Sequence, residues 1–193
     1  RAHAGYTHER LLGDALCPVR TAPGEPPGFY VKDRYWNIWL YDHKLDLQWH
    51  RALNTGHFPL PIRLKAGESD YIFASRSLLS PQGKVVWDLG LPDHADASGF
   101  FKLRGLPRLY VAGGEEGLLE IAPSTGEILS QHRWGHVQRY AVARFLADCA
   151  GYQLLTGTLW REPGICTLLD DELEVRDRWV VLCRDLRNLS LPW

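Results

Sequence analysis

One pattern returns along the chain at a spacing that restricts the fold more than any other feature. A short apolar run ends in Trp, or in an equivalent of it, and a histidine follows a few residues on. Leu45 to Trp49 precedes Gly56-His57, and Lys84-Val85-Val86-Trp87 precedes Asp93-His94. Glu127-Ile128-Leu129 then precedes Trp134-Gly135-His136, so the histidines fall 37 and 42 residues apart. A fourth copy of the strand, Leu173 to Trp179, has no histidine after it. A period of about 40 residues built from short strands predicts a β-propeller, an all-β fold of four-stranded antiparallel blades.

The interior of each repeat fits that reading. After His94, Ala95 to Phe101 reads as an innermost strand and Arg108 to Ala112 as a second. Gly113 to Gly117 is a turn cluster, Leu118 to Ala122 a third strand, and Glu127 to Arg133 an outer fourth. The next copy runs Val137 to Phe145, Gln153 to Leu159, Ile165 to Leu169 and Leu173 to Trp179. Upstream, Phe29 to Lys32, Asp33 to Asn37, Ile38 to Tyr41 and Leu45 to Trp49 close an earlier blade. The expected organisation is one partial propeller domain over 1–193, with blades near 11–49, 57–87, 94–134 and 136–179. Residues 180–193 would begin a further blade, giving about three full blades plus part of another in an incomplete ring. Trp49, Trp87, Trp134 and Trp179 are expected between blades, with Trp49, Trp87 and Trp179 largely buried.

Charge narrows the partners. Lys and Arg number 22 against 23 Asp and Glu, a net charge of -1, which argues against a nucleic-acid arm or a membrane-binding basic patch. No apolar stretch approaches the ~20 residues of a membrane helix, and the start lacks the apolar core of a signal peptide. The chain holds no Met at all, so it reads as a piece of a longer protein, and localisation is not legible from its first residues. Cys17, Cys149, Cys166 and Cys183 form no C-x-x-C pair; small buried residues are favoured over disulfides.

In a blade that meanders, links from strand four to the next blade lie at the same end as the turns between strands two and three. His57, His94 and His136 should therefore ring one mouth of the channel. Asp33, Arg34 and Tyr35 reach that end from the first blade and Arg76 from the second. Glu115 and Glu116 join from the third, Arg161 and Glu162 from the fourth. Titratable groups converging on one concavity make it the expected site. Each histidine could equally latch one blade to the next. Asp93, His94 and Asp96 are a sparse metal donor set, and no metal site is assigned.

These residues also resemble a known family. Tyr30 to Trp39 followed by Asn54-Thr55-Gly56-His57-Phe58-Pro59 is similar to the propeller-type rhamnogalacturonan lyases. Leu91 to Ala97, Ala112 to Gly117 and Gly135-His136-Val137-Gln138-Arg139 extend the resemblance in the same order, from about residue 29 to 179. The resemblance implies β-elimination on an acidic polysaccharide, with an extracellular or periplasmic location. A base, His or Tyr, removes the C5 proton of a uronate, and a cation, Arg or calcium, stabilises the developing charge. On that reading His94, His57, His136 and Tyr35 are catalytic candidates, His94 being the choice for base. Arg34, Arg76, Arg161 and Glu115 are the candidates for holding substrate. The implied partners are an acidic polysaccharide and further blades of the same chain, without nucleic acid or membrane.

Calcium would belong to the whole protein rather than to this stretch. Relatives carry Asp-rich calcium loops between strands one and two. Here those stretches read Arg63 to Asp70 and Leu146 to Gly151, with too few carboxylates for six to eight oxygen ligands. Two other readings stay open. One is a carbohydrate- or protein-binding propeller without catalysis. The other is a quinone-dependent dehydrogenase-like propeller, suggested by Thr125-Gly126-Glu127 but leaving the histidines unexplained.

Overall fold

The computed structural model describes residues 13–160 and 164–181. Within them every regular element is a strand, and no helix is long and apolar enough to cross a membrane. The strands form four sheets of four, each an antiparallel meander in sequence order. Blade one holds β1 (Ala15–Val19), β2 (Gly28–Lys32), β3 (Asn37–Tyr41) and β4 (Leu47–Ala52). Blade two holds β5 (Leu60–Ile62), β6 (Tyr71–Ala74), β7 (Ser77–Leu79) and β8 (Val85–Asp88). Blade three holds β9 (Ala97–Lys102), β10 (Pro107–Ala112), β11 (Leu118–Ile121) and β12 (Ile128–His132). Blade four holds β13 (Val137–Ala143), β14 (Gln153–Thr158), β15 (Ile165–Leu169) and β16 (Val175–Val180). These are propeller blades, and among the described residues they do not close a ring.

Blade one has an innermost strand that the sequence pattern had not marked, because Ala15–Val19 shows no polar and apolar alternation and contains Pro18. Pro18 sits in an edge strand, where its missing N–H costs no ladder bond toward a second neighbour. Conversely, Asp33 to Trp36, read as strand, is a turn. The Asp33 carboxylate accepts the N–H groups of Trp36 and Asn37, each at 2.8 Å, and so closes it.

The core lies between blades, not within them. Val19, Tyr30, Ile38 and Leu40 meet Ile72, Ala74 and Leu79 between blades one and two. Ile62, Phe73 and Leu78 meet Leu109, Val111, Leu119 and Ile121 between two and three. Leu103, Tyr110 and Leu118 meet Leu154, Leu169 and Leu173 between three and four. Third strands are therefore buried on both faces, as at Asn37–Leu40 and Leu118–Ile121.

A latch repeats at the first two interfaces. Trp49 of β4 donates its indole N–H to Pro81 O at 2.9 Å, in the next blade's outer turn. Trp87 of β8 does the same to Pro123 O at 3.0 Å. Each ring lies flat on a turn glycine. A Cβ on Gly83 would stand 2.6 Å from Trp49, and one on Gly126 would stand 2.7 Å from Trp87. Both glycines also hold positive φ, so the turn and the close approach both favour glycine.

The latch stops there, and one expectation fails with it. Trp49 pairs with Leu40 just before a bulge, and Trp87 pairs with Leu78 just before the same bulge. At that register blade three has Ser130 opposite Glu120, and blade four has Asp177 opposite Leu168. Trp134 and Trp179 are thus not equivalent to Trp49 and Trp87. Trp134, half-buried in the link after β12, still packs against the cluster between blades three and four as expected, whereas Trp179, expected to be largely buried, is 40% exposed on the outer strand of the last blade. Trp49, by contrast, is 8% exposed, and Trp87 is half-buried against its cluster. The described cysteines, Cys17, Cys149 and Cys166, are half-buried rather than fully buried, and unpaired; Cys183 lies outside the described residues.

Candidate functional site

The link from β4 to β5 is fastened before it presents His57. Lys32, wholly buried at the end of β2, donates to Arg34 O at 2.7 Å, Gly56 O at 2.7 Å and His57 O at 3.0 Å. Its fourth contact is the Asp14 carboxylate at 2.9 Å. Burial pushes the Lys32 amine down from its ordinary range, and Asp14 opposes that shift. Thr55 N–H adds a bond to Tyr35 O at 2.8 Å, so the turn bearing Arg34 and Tyr35 moves with the link bearing His57. The next link is tied in turn: Ala95 N–H donates to Ser75 Oγ at 3.0 Å, and His57 N–H to Ala95 O at 3.3 Å.

Three imidazoles then meet around one carboxylate. Asp96 is 1% exposed; its Oδ1 lies 3.4 Å from His57 Nε2 and 3.7 Å from His94 Nε2. Its Oδ2 lies 2.9 Å from His136 Nε2. That approach is off the line of a hydrogen bond, so both atoms are buried without an aligned partner. Gln138 Nε2 donates to Oδ1 at 3.1 Å. Tyr35 closes the group from above, its ring 5.4 Å from that of His57 and 5.5 Å from that of His94. The Arg34 guanidinium stands 5.5 Å over the Tyr35 ring.

His94 is held on its other side as well. Asp93 Oδ1 accepts both the His94 backbone N–H and Nδ1–H, each at 2.7 Å. This fixes the tautomer with a lone pair on Nε2, toward the cluster. Burial alone would raise the Asp93 carboxyl, but the bonds from His94 and from Glu115 N–H outweigh it and leave it below its ordinary value. Asp93 and Asp96 both reach His94, because residues 92–96 form an irregular link and not an alternating strand. Burial pushes the His57 imidazole down, with Asp96 opposing and His94, Lys32 and Arg139 reinforcing.

The remaining candidates divide. Glu115 joins the cluster, its Oε1 3.6 Å from His136 Nδ1. Arg76 does not; it donates to Leu91 O at 2.5 Å, lies 3.6 Å from Asp88, and lines a separate cavity with Trp36, Asn54 and Pro92. Glu116 turns away to Gln131 and Arg133. Arg161 and Glu162 lie outside the described residues. Sequence reasoning passed over Lys32 and did not see Asp96 as the centre. The one available signal was a lysine on the buried side of β2.

The donor set decides what ion could sit here. His57, His94 and Asp96 offer ligand atoms all within 4.8 Å of one another. Imidazole nitrogens with one carboxylate suit zinc-like ions, whereas calcium takes six to eight oxygens. The first of the degenerate loops does not fit calcium either: Asp70 is taken up by Arg63 at 2.9 Å and Arg20 N–H at 2.9 Å. No step below runs through calcium.

No family model matches the chain, and no curated protein matches it. Solved structures do. The exotype rhamnogalacturonan lyase YesX superposes with a TM-score of 0.68 at 19% identity, over 86% of this chain and 32% of that one. The Vibrio cholerae biofilm matrix protein Bap1 gives 0.64 at 15%, over 85% of this chain and 28% of that one. The Dos1 propeller gives 0.55 at 14%, over 87% and 47%. The chain spans about a third of the lyase it matches. At these identities the likeness is one of fold: the chain is built from blades of the kind found in a lyase and in a matrix protein alike.

Proposed function

We propose that the chain is part of a polysaccharide lyase-like propeller that cleaves a uronate-containing acidic polysaccharide by β-elimination. The observation that carries this reading is the convergence of His57, His94 and His136 on Asp96, with His94 oriented by Asp93 and Tyr35 above it. His94 Nε2 is the base. It takes the proton from C5 of the uronate, the C5–H electron pair becomes the C4–C5 double bond, and the C4–O bond breaks with its electrons going to the leaving sugar. Arg34, exposed beside Tyr35, meets the uronate carboxylate, where a guanidinium fork binds two oxygens at once. Tyr35 is the donor that returns a proton to the leaving oxygen on this reading. Asp96 faces the same Nε2 nitrogen of His94 at 3.7 Å. Rhamnogalacturonan is one substrate with the required uronate linkage, and the blades shared with YesX support that choice. The test is a panel of acidic and neutral polysaccharides incubated with the whole protein. Ultraviolet absorbance of an unsaturated uronide should rise only with uronate polymers. Release of saturated sugar ends, or no cleavage of any of them, overturns the reading.

A further inference from the structure

We propose that the gap between blades three and four is a second binding site, which takes a single neutral sugar residue. The latch is broken at this interface. Where blades one and two place a Leu–Trp pair, blade three has Glu120 and Ser130, at the same register and beside the same bulge. The receiving turn has changed too: its hydrogen bonds match those of the turn that holds Gly83, but Leu173 stands at the glycine position with φ of 64°. The missing indole leaves a cavity of about 380 Å³, within the roughly 300–1,000 Å³ of small-ligand pockets.

The polar groups there are ordered rather than left over. Glu120 is 2% exposed and accepts Arg104 at 3.0 and 2.8 Å, Tyr110 O–H at 3.2 Å and Ser130 O–H at 3.4 Å. Arg104 also binds Glu172 at 2.9 Å. Those groups satisfy one another and form a rigid wall. Arg108, whose Nε lies 3.8 Å from Glu120, also lines the cavity with His132 and Glu174, next to Leu106 and Leu129. A guanidinium that donates, a carboxylate that accepts and an imidazole suit adjacent hydroxyls, each of which does both. The leucines suit the C–H face of a pyranose. Three carboxylates against two guanidiniums disfavour a uronate. The rim comes from the β9–β10 and β15–β16 turns, at the ends of the blades opposite the histidine links, so the site is separate from the proposed centre.

Calorimetric titration of the purified protein with methyl glycosides of neutral hexoses and of hexuronates tests this. A neutral glycoside should bind at least tenfold more tightly than any hexuronate. Restoring the latch with Glu120→Leu and Ser130→Trp together should abolish that binding, while His94→Ala leaves it unchanged. Should the double variant fail to fold, Glu174→Gln and Arg108→Ala, at the rim, should each weaken binding at least tenfold. The proposal is overturned if no neutral glycoside binds, if hexuronates bind equally well, or if binding survives the rim changes. Loss of binding in His94→Ala overturns it too. Failure of the lyase reading would not affect these titrations.

Discussion

Asp93 Oδ1 takes two bonds from one residue, the backbone N–H and the ring Nδ1–H of His94, both at 2.7 Å. The imidazole is thereby fixed in both rotation and tautomer. Asp93 is a positioning residue on this account, so Asp93→Ala should lower kcat while leaving KM nearly unchanged. The fall should not exceed the roughly 10²–10⁴-fold that a general base contributes. Asp93→Asn should recover part of it, because an amide oxygen still accepts from Nδ1–H. A KM effect without a kcat effect would contradict the assignment.

The latch predicts unequal tryptophans. Trp87→Ala removes a packed indole and its bond to Pro123, and should cost about 3–5 kcal/mol in denaturant unfolding. Trp179→Ala, on an exposed outer strand, should stay within about 0.5 kcal/mol. Equal costs would show that the two residues play the same part after all.

Ions should divide by donor chemistry. Zinc placed on the Nε2 atoms of His57 and His94 would occupy the base, so it should raise the melting temperature and inhibit cleavage together. Calcium at the same concentration should do neither through this cluster. The His57→Ala variant should lose the zinc stabilisation. Persistence of that stabilisation in the variant would place the ion elsewhere.

His132 predicts a pH dependence of stability. Burial holds its folded pKa below the ordinary value, with Glu174 and Glu120 opposing. As pH falls through the ordinary histidine range, about 6.5, the unfolded chain takes up a proton that the folded chain resists, and stability declines. His132→Gln should flatten that part of the curve of melting temperature against pH. Superimposable curves would contradict it.

Much of this was legible in the residues, and the failures have physical causes. The repeat announced the blades and the meeting of the three histidines, because a link at a fixed register must return to the same end of the blades. The tryptophans misled, since they were aligned by residue type. Hairpin register and bulge position align Trp49 and Trp87 with Ser130 and Asp177 instead. Asp96 was seen as a neighbour of His94 along the chain, yet its contacts with His57 and His136 cross two blade interfaces. Lys32 stayed hidden because three of its four partners are backbone carbonyls, which leave no mark in a side-chain pattern.

Whether His94 takes the proton is decided by comparing the whole protein with a single variant. Initial rates of unsaturated-uronide formation are measured for the whole protein and for its His94→Ala variant, alongside their thermal unfolding. The account predicts that the absorbance rise disappears, a loss of at least roughly 10²-fold, while the melting temperature is nearly unchanged. Full activity in the variant, or activity and folding lost together, would contradict it and leave His94 as a latch between blades.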